Sequence, residues 1–294
     1  MTNFYEQVAS NKRRSFFVIF FFIVFIITVG YFLSYYFDSQ YFLPIAIIYS
    51  FGSAFGSYYF GDKIVLAINK AIPATRKDYF DFYTVTENLA MVAQIPVPKI
   101  YVIETDAMNA FATGRDAQHA VVCATTGLLA KLNRTELEGV IGHELSHIKN
   151  HDILLMTLVS VLIGTLSILI NLTSRQMFWG GDRDNRDRND SGIFAIIGLL
   201  LIIFAPLIAQ LVQLAISRRR EYFADASSVS LTHQPSGLIS ALKKISTDTT
   251  PFKEASTATA SLYISNPFKG NKIASMFSTH PPIADRIKAL EGMM

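Results

Sequence analysis

Residues 133–149 read Asn-Arg-Thr-Glu-Leu-Glu-Gly-Val-Ile-Gly-His-Glu-Leu-Ser-His-Ile-Lys, and they contain His-Glu-x-x-His at 143–147. An α-helix turns once in about 3.6 residues, so side chains four apart share a face. His143 and His147 can therefore offer two imidazole nitrogens to a single Zn²⁺. Glu144, one position round, can take a proton from an attacking water without ligating the metal. Apolar Leu137, Val140, Ile141, Leu145 and Ile148 recur at mixed three- and four-residue spacing, which predicts a helix. Its start is ambiguous, since Asn133 with Glu136 and Thr135 with Glu138 both fit a capping box. Taken alone, the motif also fits a core helix carrying two incidental histidines.

Composition places that helix in an apolar chain. Of 294 residues 51% are hydrophobic and 17% charged, and the mean hydropathy is +0.32. Soluble domains carry roughly 25% charged residues. The net charge of +3 is too small to argue for a nucleic-acid partner. The lone cysteine, Cys123, excludes an intramolecular disulfide and reads as a small buried hydrophobe within Ala-Val-Val-Cys-Ala.

Four stretches run without a charge: 16–37, 43–60, 153–172 and 193–217, the last interrupted by Pro206. About 20 apolar residues cross a hydrocarbon core of about 30 Å. The expectation is an α-helical membrane protein with four transmembrane helices. Gly52 and Gly56, four apart in the second stretch, offer a place for two helices to approach closely. Lys12–Arg14, the basic residues between Lys63 and Lys77, and Arg218–Arg220 all fall on one side of such a protein. By the excess of basic residues on the inner side, both termini and both soluble segments face the cytoplasm. The expected division is thus 1–61 (amino terminus and spans one and two), 62–152 (soluble, with the His-Glu-x-x-His helix), 153–217 (spans three and four with an external loop) and 218–294 (soluble).

Within the soluble parts, Asp78–Gln94 reads as a helix and Lys99–Ile103 as a strand. Asn109–Thr113 and His119–Ala124 read as a hairpin about Gly114, and Thr126–Leu132 as a short helix. A catalytic zinc needs a third ligand and an open position. Glu221, just past the fourth span, is the expected third ligand, carried on an extension of that span as His147 stands just before the third. Asp225, one turn on, can accept the second ring N–H of a zinc-bound histidine. His151, a turn past His147, is expected at the interface or behind the ligands, and Asp152 as a solvated boundary charge. His119 and His233 are expected in ordinary structural roles. His280 and Arg286 are candidate donors to the oxyanion. The strand containing Asn109, Ala110, Phe111 and Ala112 is a candidate edge for an extended peptide.

Several of these pieces occur together in a fixed order. Asn-Ala-Phe-Ala (109–112), His-Glu-x-x-His (143–147), Arg-Arg-Arg-Glu-Tyr-x-Ala-Asp (218–225) and Ser-Thr-His-Pro-Pro-x-x-x-Arg (278–286) are interleaved with two pairs of apolar spans. This pattern resembles the HtpX heat-shock branch of the membrane-integrated metallopeptidases, whose other branch is the CAAX prenyl endopeptidases. The resemblance implies a cytoplasmic α+β zincin-like domain and one Zn²⁺ per chain, held by His143, His147 and Glu221. It further implies catalytic Glu144, supporting Asp225, and active-site contacts for Asn109, His280 and Arg286. The implied activity is cleavage of misfolded membrane proteins at the cytoplasmic face of a bacterial plasma membrane, so the implied partners are protein substrates and the bilayer. A processing protease for one defined membrane-associated peptide, or a non-catalytic zinc-binding scaffold, are the alternatives. Four spans rather than seven place the chain on the shorter HtpX side.

Overall fold

Two long apolar helices lead the chain in a computed structural model that describes residues 4–36, 38–179, 218–252, 255–256, 258–268 and 281–294. Helix α1 spans Phe4–Tyr36 and helix α2 spans Phe42–Ile68. The polar start expected before the first span is therefore its helical continuation, since the charged residues Lys12–Arg14 lie within α1. Helix α2 likewise runs two turns past its charge-free stretch. Among the described residues one helix, Ala9–Tyr35 within α1, is by itself long and apolar enough to cross a membrane. The fourth charge-free stretch, 193–217, lies outside the described residues.

After the two long helices the chain forms a four-stranded sheet of β1 (Ile72–Pro73), β2 (Lys99–Ile103), β3 (Ala110–Thr113) and β4 (Val121–Thr125), in the order β1-β2-β4-β3. Strands β3 and β4 form the expected antiparallel hairpin, with Phe111 opposite Cys123. Strand β4 returns parallel to β2, with Lys99 opposite Val121. Helix α3 (Phe80–Ala93) and the short α4 (Thr126–Lys131) flank it. Cys123 is fully buried in the sheet, as its apolar neighbours indicated.

Helix α5 (Arg134–Lys149) carries the His-Glu-x-x-His motif through the middle of the molecule. Its start is fixed by the first of the two capping boxes: Asn133 Oδ1 accepts from Glu136 N–H at 2.9 Å, and Glu136 Oε2 accepts from Asn133 N–H at 2.8 Å. Leu137, Val140, Ile141, Leu145 and Ile148 are all buried in one core with the sheet, α3 and α8 (Pro235–Thr247). Two glycines set how close its neighbours come. A Cβ on Gly139 would stand 2.7 Å from the Leu238 backbone of α8. One on Gly142 would stand 2.8 Å from Ser228 Oγ on helix α7 (Arg218–Thr232). Ser228 Oγ donates to the Gly139 carbonyl at 2.7 Å. Helices α5 and α7 therefore lie antiparallel in near contact, and α9 (Ile283–Glu291) closes over α7 and α8.

Two sequence expectations are corrected here. The motif helix does not run straight into the third apolar stretch: α5 ends at Asn150, His151 takes φ 57, and α6 (Asp152–Trp179) leaves at 87°. The left-handed residue breaks the helical register, so His151 does not share the His143/His147 face. The first two helices also do not approach through Gly52 and Gly56, where an added Cβ would have nothing within 4 Å. They meet instead where Gly30 of α1 abuts Ala46 of α2. Helix α1 packs on α6 through Val18, Phe22 and Ile26 against Leu155, Val159 and Leu162.

Candidate metal centre

The antiparallel packing of α5 and α7 decides what meets at the motif. Reading α5 from Gly139 to His147 corresponds to reading α7 from Ser228 back to Glu221, so the carboxylate arrives beside the imidazoles. His143 Nε2 and His147 Nε2 are 3.2 Å apart. Glu221 Oε2 lies 3.6 Å from the first and Oε1 3.6 Å from the second. All three side chains are buried, and each offers one ligand atom within 4.8 Å of the others.

Behind each ring stands a carboxylate. His143 Nδ1 is 2.9 Å from Asp225 Oδ1, and His147 Nδ1 is 3.0 Å from Asp152 Oδ2. Those bonds hold each ring with its N–H at Nδ1, leaving the Nε2 lone pairs facing one another and Glu221. Two lone pairs and a carboxylate that converge in a buried site need a cation between them. Nitrogens bound at about 2.0–2.1 Å in tetrahedral geometry stand about 3.3 Å apart, close to the spacing found. The surrounding cluster (Glu144, Asp152, Glu221 and Asp225 with Arg220 and Arg286) carries two more carboxyl than guanidinium groups, which suits a divalent ion. The donor set therefore fits a metal.

Burial and charge shape the protonation of this cluster. Burial pushes the Glu144 carboxyl up to about 7; Glu221 adds to the rise, while His147, Arg286 and the Ala112 N–H oppose it. Burial pulls the His147 imidazole down, but its bond to Asp152 and the charge of Glu221 prevail and raise it to about 9. His143 is lowered, by burial and then by Arg286. Asp225 stays well below the ordinary carboxylate range despite its burial, because Arg286 grips it at both oxygens, Nε to Oδ2 at 2.8 Å and Nη2 to Oδ1 at 2.6 Å.

Not every expected residue sits as the sequence suggested. Arg286, read as an oxyanion donor, is fully buried and committed to Asp225, with Nη1 on the Ile264 carbonyl at 3.3 Å and 3.8 Å from Glu221. Asp152 is not a solvated charge: it is buried and holds a ring of the motif. Its position at the very start of an apolar stretch was the available signal, since a carboxylate there needs a partner. His280 lies outside the described residues. His119 is exposed and bonded to Asp116, away from the site. The β3 edge is only partly open. Asn109 is buried, with Nδ2 donating to the Ser265 carbonyl at 3.0 Å, and the Ala110 carbonyl already accepts from Ile264 N–H at 2.9 Å. Phe111 packs edge-on against Tyr263, and the Ala112 N–H bonds to the Glu144 carboxylate. A peptide cannot use the Ala110 carbonyl while Ile264 holds it.

A His-Glu-x-x-His helix with a glutamate brought from a separate helix is the donor arrangement of a metallopeptidase. Comparison with known proteins gives the family. The model of peptidase family M48 matches residues 81–294, and the chain belongs to that family. It is 45% identical to the protease HtpX homolog of Streptococcus uberis over 98% of this chain and 99% of the relative. It is likewise 45% identical to the protease HtpX homolog of Thermoanaerobacter pseudethanolicus, over 98% of this chain and 97% of the relative. Among solved structures, the crystal structure of S. mikatae Ste24p superimposes with a TM-score of 0.53 and 19% identity, over 97% of this chain and 67% of that one. That likeness speaks for the fold alone. The chain is a metalloprotease.

Proposed function

We propose that the chain is a membrane-integrated, zinc-dependent endopeptidase with its active site on the cytoplasmic side, and that it cuts misfolded or damaged membrane proteins. The observation that carries the reading is the convergence of His143, His147 and Glu221 next to a buried Glu144. Nitrogen and carboxylate donors of this kind suit Zn²⁺, one per chain. When bound, zinc supplies Lewis acidity that acidifies water and polarises the scissile carbonyl.

The protein's own groups do the rest. Glu144, with the Ala112 N–H on its carboxylate, takes the proton of the attacking water and delivers it to the departing amine. Asp225 and Asp152 hold the two imidazoles in one tautomer and one orientation, and Arg286 keeps Asp225 ionised. The peptide lies along β3 near Ala112, the strand position next to Glu144.

Membrane integration is supported by Ala9–Tyr35 and by the outward Phe16, Phe17, Phe20 and Phe21 of α1 with Ile45, Ile48, Phe51 and Phe55 of α2, large apolar side chains that suit lipid rather than water. A cytoplasmic site is supported by the basic residues that flank the four charge-free stretches on one side, and a plasma membrane by the bacterial relatives.

The test is proteolysis of a panel of membrane proteins by full-length protein in detergent beside Glu144→Gln. Wild type should cut at many loosely related sites, and the variant should lose at least about 10³-fold in rate while keeping its metal. A single fixed site would favour a processing protease, and undiminished turnover by Glu144→Gln would remove Glu144 from the chemistry.

A further inference from the structure

Asn11 lies on the apolar first helix, far in sequence from the motif, yet its side chain is buried against the metal centre. Its Nδ2 donates to Asp152 Oδ1 at 2.6 Å and to the Asn150 carbonyl at 3.2 Å. Its Oδ1 accepts from Arg220 Nη1 at 3.5 Å, next to Glu221 in the chain. One amide thus touches the end of α5 and the start of α7, the two helices that deliver the ligand side chains, and the start of α6, which carries Asp152. We propose that Asn11 is a positioning residue: by fixing Asp152 it holds the His147 ring in place and makes metal affinity depend on how the first helix is seated.

The geometry explains why the amide matters. Asp152 uses one oxygen for His147 and the other for Asn11, while Arg220 stands farther from that second oxygen, at 3.7 Å. Without Asn11 that oxygen is left to the longer Arg220 contact, and the carboxylate is freer to turn about its own bond and release the ring. The break at His151 sharpens the need, because His147 and Asp152 stand on two helices that meet at 87° rather than on one continuous rod. Packing of Val18 and Phe22 against Leu155 and Val159 places Asn11 at this corner.

This role rests on the proposed zinc site. Full-length protein in detergent is stripped of metal, and its zinc dissociation constant is measured by competition with a fluorescent chelator, beside thermal unfolding of the metal-free form. Asn11→Ala should weaken zinc binding about tenfold, as removal of outer partners of a ligand does. Where Asn11→Ala does not accumulate, the similarly sized apolar Asn11→Leu carries the same expectation. Added to Asp152→Ala, Asn11→Ala should cost less than about twofold more, because both act through one ring. Unchanged affinity in both Asn11 variants, or losses that multiply in the double variant, overturns the role, even if unfolding temperatures fall. If instead wild type fails to bind zinc, or Glu221→Ala binds as tightly as wild type, the site assignment itself is what fails.

Discussion

A guanidinium with no exposed surface is tolerable only opposite a matched anion, and Arg286 has one in Asp225. The two-point fork is what keeps Asp225 charged and the His143 ring turned. Arg286→Lys keeps the charge but cannot form the fork. It should weaken metal binding roughly 10–100-fold, the range for lost outer partners of a ligand, as read by chelator competition; an affinity within about twofold of wild type would show that the fork is dispensable. At this scale the residues legible in the sequence were those whose geometry is local or carried by a family pattern. His143, Glu144 and His147 follow from helical spacing, while Glu221 and Asp225 follow from their place after an apolar stretch. Asp152 was misread although its place at the head of an apolar stretch gave a signal, and Asn11 was not legible, because its partner Asp152 stands 141 residues away. Arg286 was noticed as a site residue but its fork on Asp225 was not, since nothing in the sequence says whether a buried arginine faces substrate or a carboxylate.

Among the elements, the motif helix is positioned by what it lacks as much as by what it carries. Gly139 lets the α8 backbone approach to where a Cβ would stand 2.7 Å from Leu238, and Ser228 of α7 caps the same carbonyl turn. Gly139→Ala should therefore push α8 off α5 and destabilise the protein by at least about 1–3 kcal/mol, the range for an overpacked core. Thermal or denaturant unfolding in detergent reads this, and an unchanged midpoint would mean that the helices are not held at this distance. Strands β2 to β4 and the hairpin were legible from alternation and turn residues, whereas the start of α5 was narrowed to two capping boxes, of which the structure takes Asn133/Glu136. The 87° corner after α5 was not, because no Gly or Pro marks it and the left-handed turn falls on His151, a residue that does not announce one. The two-residue β1 and the covering of Ala110 by Ile264 depend on distant chain segments.

At the level of the whole molecule, hydropathy indicated the long helices but not how they meet, as the contact of Gly30 with Ala46 in place of Gly52 and Gly56 shows. The proposed topology puts the turn between α1 and α2 outside and the corner between α5 and α6 inside. Gln40 and Lys149 are both exposed, and Cys123 is fully buried, so it should not compete for a thiol label. Gln40→Cys should react with a membrane-impermeant maleimide in intact cells, and Lys149→Cys only after lysis; labelling of both from outside would overturn the orientation. The central claim is that one metal ion is shared by two rods of the fold, two imidazoles from α5 and a carboxylate from α7. Its most direct test is the zinc content and zinc dissociation constant of the full-length protein beside Glu221→Ala and Glu144→Gln. Wild type and Glu144→Gln should each hold about one zinc per chain, with Glu221→Ala losing it under mild chelation. Retention of zinc at wild-type affinity by Glu221→Ala would contradict it.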